Sequence, residues 1–144
     1  MESLLRSAPA ELLDACLVVE DDSIIRLDLE ETLRGFGLKR VHGAGTLDAG
    51  LELASVANIS FAVLDFNLGR ADTVPIAMAL AARGIPVVFL TAYGAAVELP
   101  PALAHLEVIA KPFSSELLAE ALLKAFDLAA RQKAAGVACS DLVE

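Results

Sequence analysis

Five short apolar runs recur along the chain: Ala15 to Val19, the residues around Val41, Phe61 to Leu64, Pro86 to Leu90, and Glu107 to Ala110. They are strand-length and apolar throughout instead of alternating, as expected of strands covered on both faces, which implies a parallel sheet. Helical patterns lie between them. In Ser23 to Gly37 the residues Ile25, Leu29, Leu33 and Phe36 recur at helical spacing, Ser23 or Asp22 can cap the start, and Gly35 or Gly37 can supply the left-handed stop. Residues 46–57 and 73–83 read as two further helices ending near Asn58 and Gly84. In Ser114 to Ala130 the residues Leu118, Leu122, Ala125 and Leu128 or Ala129 share a face, Ser114 is a candidate N-cap, and Glu120 to Lys124 is a favourable pair one turn apart. The fourth helix is the exception: Pro100 and Pro101 forbid a continuous helix across them, so a short or displaced element is expected. The alternation predicts an α/β protein built from five βα units.

Residues 1–13 and 131–144 fall outside this pattern as an N-terminal extension and a C-terminal tail, which leaves 14–130 as the folded domain and no output domain. At 144 residues the chain is of one-domain size. No apolar run reaches the length of a membrane span and no N-terminal signal is legible, so a cytoplasmic protein without membrane contact is expected. A net charge of −9 with no sizeable Lys/Arg cluster argues against nucleic acid and for a protein partner. Cys16 sits in an apolar run and Cys139 near the end of the chain, which reads as one core thiol and one tail thiol, not a disulfide.

In an open parallel sheet, ligands bind outside the carboxyl ends of the strands. The polar residues that follow the apolar runs are Glu20, Asp21 and Asp22, then Asp65, Thr91 and Lys111. Carboxylates gathered within several ångström repel one another unless a cation or protons offset them. Mg²⁺ fits: it takes one or two carboxylates and keeps positions for water and phosphate oxygens. Asp65 is then the candidate nucleophile toward phosphorus, Lys111 a point charge for a phosphoryl oxygen, and Thr91 a hydroxyl donor to another.

The segments "LVVEDDSIIRLDLEETL", "FAVLDFNLG", "PVVFLTAYG" and "IAKPF" resemble the four signature segments of the response-regulator receiver domain of two-component signalling. The resemblance covers roughly residues 14–130. It implies the flavodoxin-like (βα)5 fold with strand order 2-1-3-4-5 and helices on both faces. It also implies residue roles: Glu20 and Asp21 as the acidic pair, Asp65 as phosphoacceptor, the backbone carbonyl of Asn67 in the metal shell, Thr91 as switch hydroxyl, Lys111 as phosphate-pairing lysine, and a cis Lys111–Pro112 bond. The family commonly has an aromatic residue three before the lysine, where this chain has Val108. Tyr93 in "FLTAYG" is similar instead to the FAT GUY subgroup of single-domain receivers found with HWE-type histidine kinases, with Leu90 and Ala92 departing from that motif. Tyr93 is the alternative switch candidate, and a plain half-buried aromatic is the other reading of it.

Taken singly, the acids at 20–22 read as a helix-start charge cluster and Asp65 as a turn cap, but one such residue at each strand end, in order, favours the site. Asp22 belongs to the helix cap, and His42 and His105 are isolated surface or loop residues with no role. The expected function is a stand-alone receiver, not an enzyme of sustained turnover. It accepts a phosphoryl group from a histidine kinase or phosphotransfer protein and signals to a protein partner, with homodimerisation on phosphorylation left open. A phosphate sink shares every one of these residues. A haloacid-dehalogenase-like phosphatase wants a second Asp where Asn67 stands, and a nucleotide or flavin module would be repelled by three acids after the first strand.

Overall fold

The computed structural model describes Leu5 and residues 8–56, 58–92 and 97–134. Five parallel strands form one sheet: β1 (Ala15–Val19), β2 (Arg40–Ala44), β3 (Phe61–Asp65), β6 (Val87–Ala92) and β7 (Glu107–Lys111). A small antiparallel hairpin, β4 (Asn67–Leu68) with β5 (Ala71–Asp72), follows β3. The sheet order is β2-β1-β3-β6-β7, which is the expected 2-1-3-4-5 once the hairpin is set aside.

Side chains of a strand alternate between faces, and along the three central strands both faces are dry, whereas edge strands β2 and β7 are partly open. Cys16 and Val18, Phe61 and Val63, and Val88 and Leu90 pack with α1 (Ser23–Gly35) and α4 (Ser115–Ala134). Leu17 and Val19, Ala62 and Leu64, and Val87 and Phe89 pack on the other side with α2 (Leu47–Val56) and α3 (Val74–Ala82). This is why the strand segments read as unbroken apolar runs. The rings of Phe61 and Phe126 meet edge to face at 5.2 Å and tie α4 to the central strands.

Where the sequence left alternatives, local chemistry decides. Asp22 caps α1, accepting from the amides of Ile24 at 2.9 Å and Ile25 at 3.1 Å. Gly37, with φ of 108°, makes the left-handed stop after α1, and Ser114 Oγ accepts from the Leu117 amide at 3.1 Å. Ile25, expected on the buried stripe of α1, is 42 % exposed, in a first turn where Ile24 and Leu27 are exposed as well; Leu29, Leu33 and Phe36 are buried as expected. The α4 helix runs on to Ala134, past residue 130. The fourth helix is reduced among the described residues to the 3₁₀ turn Pro101–Leu103, as the paired prolines required, which leaves Val108 of β7 38 % exposed. His42 lies within edge strand β2, half-buried, and is not a loop residue; His105 is exposed.

Leu5 and the 3₁₀ turn ahead of β1 are packed on the domain. Leu5 is fully buried in the α1/α4-side core, and the 3₁₀ turn Ala10–Leu13 is held where Ser60 Oγ donates to the Glu11 carbonyl at 2.8 Å. No helix among the described residues is long and apolar enough to cross a membrane.

Cys16 is fully buried, and burial pushes its thiol up from 9.0 to about 12, the charge of Arg34 opposing only in part. In a Cys139→Ser variant at pH 8, Ellman's reagent is therefore expected to label Cys16 only at the rate of unfolding, and fully in denaturant. Rapid labelling in native buffer would contradict this packing.

Candidate functional site

The alternation that buries the core also sorts the polar residues at the strand ends. Continuing from Cys16 and Val18, Glu20 falls on the α1/α4 face; Asp65 continues from Phe61 and Val63, and Lys111 from Ile109. Val19 pairs with Leu64, so Glu20 and Asp65 are level at the edge. Asp65 pairs with Leu90 and Leu90 with Ile109, which puts Lys111 two residues further along, and its long side chain reaches back across β6.

There Lys111 Nζ lies 2.7 Å from Glu20 Oε1 and 3.2 Å from Asp65 Oδ2. Glu20 is 1 % exposed and Asp65 8 %, so both acids are taken out of water. Burial pulls the lysine downward, but the hydrogen bonds and charges of Glu20 and Asp65 outweigh it and hold the ammonium above its ordinary value. Removing one member of such a pair leaves the other buried and unpaired, at a cost of about 3–5 kcal/mol.

Glu20 is fixed on every side. Its amide donates to the Ala44 carbonyl at 3.0 Å, extending the pairing with β2 by one residue, and its Oε2 accepts from the Asp22 amide at 3.2 Å. Asp21 is exposed, yet a side-chain hydrogen bond shared with Glu20, then desolvation and the charge of Glu20, raise its carboxyl above the ordinary range. Carboxylate oxygens of Glu20, Asp21 and Asp65 all lie within 4.8 Å of one another. Three acids against one lysine leave an excess of negative charge. A hard divalent cation with oxygen ligands fits that donor set.

The remaining expected residues are placed as follows. Thr91 follows the alternation of Val87 and Phe89, so it belongs to the α2/α3 side, and its Oγ1 is buried with no hydrogen-bond partner among the described residues. An orphaned buried hydroxyl is costly, and it can donate to an acceptor that arrives later. Asn67 opens the small hairpin opposite Asp72 with its side chain exposed. Tyr93 lies outside the described residues. The Lys111–Pro112 bond is cis.

Thr73 had no place among the expected site residues. It precedes α3, where a threonine ordinarily caps, but the Val74 amide donates to Asp72 Oδ1 at 3.0 Å instead. The Thr73 hydroxyl turns inward and donates to the carbonyl of Asp65 at 2.8 Å, while the Thr73 amide donates to the carbonyl of Phe66 at 2.9 Å. It is fully buried, and so holds the backbone that carries Asp65. Its only sequence signal is a cap-forming residue before "VPIA", which points to the helix and not to the strand end.

Residues 16–123 match the family model of the response regulator receiver domain. A transcriptional regulatory protein of Mycobacterium tuberculosis, PdtaR, is 34 % identical over 101 residues, or 68 % of this chain. The chain spans about half the length, 49 %, of that relative. SdrG from Sphingomonas melonis Fr1, known from a solution structure, is 34 % identical with a TM-score of 0.69, the match covering 80 % of this chain and 97 % of that one. The N-terminal domain of a response regulator/sensory box/GGDEF 3-domain protein from Carboxydothermus hydrogenoformans is 25 % identical with the same TM-score of 0.69, over 80 % of this chain and 95 % of that one. With the acidic strand edge, the bridging lysine and the sheet order all agreeing, the chain belongs to the response regulator receiver domain family.

Proposed function

We propose that the chain is a stand-alone receiver that takes a phosphoryl group from a phosphohistidine onto Asp65, with Mg²⁺, and passes the signal to a protein partner. The observation that carries the reading is the gathering of Glu20, Asp21 and Asp65 within 4.8 Å beside Lys111. Glu20, Asp21 and Asp65 would hold the ion with the carbonyl of Asn67, and the ion would supply charge neutralisation for an incoming phosphoryl group. Asp65 attacks phosphorus through a carboxylate oxygen as the P–N bond to the imidazole breaks, and the electron pair leaves with the histidine ring. Lys111 already touches both acids and needs only a small change of partner to reach a phosphoryl oxygen. Thr91, whose hydroxyl has no partner among the described residues, would donate to another.

The chain's output is then a shift in conformer population, and the contact of Thr91 with phosphate supplies the difference between conformers. The irregular stretch around Pro101–Leu103 and the exposed part of β7 are the surface the shift would alter, the single-domain cytoplasmic role and the HWE-type kinase being part of the same proposal. The chemistry is a single self-modification and its reversal, without sustained turnover of a substrate.

Transfer from a panel of ³²P-labelled histidine kinases is expected to label the wild type, with Asp65→Asn and EDTA each abolishing the label. Equal labelling of Asp65→Asn would remove Asp65 from its role. Label that decays without any phosphorylation-dependent partner in a pull-down would favour a phosphate sink.

Thr73→Val keeps the side-chain shape but leaves the Asp65 carbonyl without its donor, and is expected to lose about 1–3 kcal/mol in urea unfolding. It should also slow labelling, with Thr73→Ser restoring both.

Asp21 holds its proton more tightly in the folded than in the unfolded chain, so its ionisation costs stability as pH rises out of the carboxylate range, and the cost persists at neutral pH. Asp21→Asn is thus expected to raise the urea midpoint in EDTA at pH 7, a gain that fades on acidification below the carboxylate range. Mg²⁺ should raise the wild-type midpoint more than that of the variant. An unchanged midpoint at pH 7 would show that the acids do not strain one another.

A further inference from the structure

Arg26 is a polar-face residue of α1 by its spacing, yet its side chain does not simply face solvent. Its Nη1 donates to the backbone carbonyl of Glu20 at 2.8 Å. Its Nε lies 3.8 Å from Glu30 Oε2 one turn further on, and Arg34 Nη2 lies 3.8 Å from the other oxygen of Glu30. The guanidinium is therefore aimed from behind by an acid that is itself flanked.

The chain leaving β2 makes room for this arrangement. A Cβ on Gly45 would sit 2.7 Å from Arg26 Nη1 and 3.8 Å from the Glu20 oxygen. A Cβ on Gly43 would collide with Glu30 Oε2 and lie 3.4 Å from Arg26 Cδ. Two glycines in "HGAGT" thus form a notch across which the arginine lies, and neither needs an unusual φ. Their smallness serves the close approach, not a turn.

We propose that Arg26 is a positioning residue for the acidic site, acting through the Glu20–Asp21 peptide plane; the proposal rests on the metal-dependent phosphoacceptor reading above. A peptide unit is planar, so fixing the Glu20 carbonyl also fixes the Asp21 nitrogen and Cα; the Asp22 amide, donating to Glu20 Oε2 at 3.2 Å, holds the next plane, and the two together set the direction in which the Asp21 side chain leaves the backbone. Val19 is the last residue of β1 in ladder pairing, and the carbonyl of Glu20, one residue on, is taken up by a side chain instead. Asp21 is exposed and lacks the packing that holds Glu20, so the plane it hangs from sets where its carboxylate points. Arg26 also brings a positive charge against a turn crowded with anions, and a hydrogen bond from a charged donor is the stronger kind.

The test uses Arg26→Ala, Arg26→Lys and Gly45→Ala, each checked by urea unfolding in EDTA for an intact fold. Mn²⁺ affinity by EPR titration is expected to fall about tenfold in Arg26→Ala, as for loss of one charged hydrogen bond. Phosphoryl labelling should need correspondingly more Mg²⁺ for its half-maximal rate, while the rate at saturating Mg²⁺ stays within about twofold. Arg26→Lys should recover part of the affinity. Gly45→Ala, which keeps the arginine but fills its notch, should reproduce the loss. In metal-free protein the amides of residues 20–22 should exchange faster in Arg26→Ala and Gly45→Ala than in the wild type. Folded Arg26→Ala with wild-type Mn²⁺ affinity and wild-type exchange at residues 20–22 would overturn the proposal alone. A wild type that binds no Mn²⁺ would overturn the metal-site reading and this proposal with it.

Discussion

The contact on which the strand edge depends is Lys111 Nζ held between Glu20 Oε1 at 2.7 Å and Asp65 Oδ2 at 3.2 Å. It joins residues far apart in sequence through three strand ends, and it exists only because β1, β3 and β7 lie in one sheet with β6 between the last two. A buried ion pair of this kind adds little net stability, since desolvation offsets most of the attraction. Its value is geometric. It keeps two carboxylates together that would otherwise separate, and so holds Glu20 beside Asp21, whose carboxyl is raised first by its side-chain hydrogen bond with Glu20 and then by desolvation and the Glu20 charge.

Much of this was legible in the sequence for a simple reason. Strands covered on both faces must be apolar at every position, so the first charged residue after each central run marks the sheet edge, and Glu20 and Asp65 announce themselves by interrupting it, while Lys111 ends the short run of an edge strand that is partly open. Pro100 and Pro101 likewise mark, through backbone chemistry alone, the stretch where the described residues hold a 3₁₀ turn and not a continuous helix. Contacts set by tertiary approach left no such mark. Leu5 is fully buried although Pro9 breaks the pattern around it, and Ile25 keeps the helical period yet lies where no partner covers it. The inward turn of Thr73 and the reach of Arg26 to Glu20 depend on how close α3 and α1 come to the strand ends, which periodicity does not encode.

A common device emerges at the two acidic strand ends. The carbonyl of Glu20 is taken by Arg26 from the helix that follows β1, and the carbonyl of Asp65 by Thr73 from the start of the helix that follows β3. Each carbonyl sits at or just past the end of its strand, where the ladder ceases to supply donors, so a side chain from the next element completes the accounting that backbone groups demand. The acids are thus borne on backbone that is pinned in both directions. The described stretch between β6 and β7, by contrast, carries only the 3₁₀ turn Pro101–Leu103, and Val108 of β7 beside it stays partly open.

That division constrains how the crowding of charge can be relieved. Were the turns after β1 and β3 loose, the carboxylates would drift apart and the repulsion would vanish into a small backbone movement. The hydrogen bonds to both carbonyls and the dry clusters on both faces of the sheet oppose that movement. Asp21 answers part of the crowding by holding its proton above the ordinary carboxylate range, through its side-chain hydrogen bond with Glu20 first, and a divalent cation would offset all three acids at once. The Thr91 hydroxyl is likewise buried with no hydrogen-bond partner among the described residues, a cost that an added acceptor oxygen would remove. Excess negative charge and a buried hydroxyl with no acceptor among the described residues are complementary defects, and under the proposed function a divalent cation followed by a phosphoryl group would answer both.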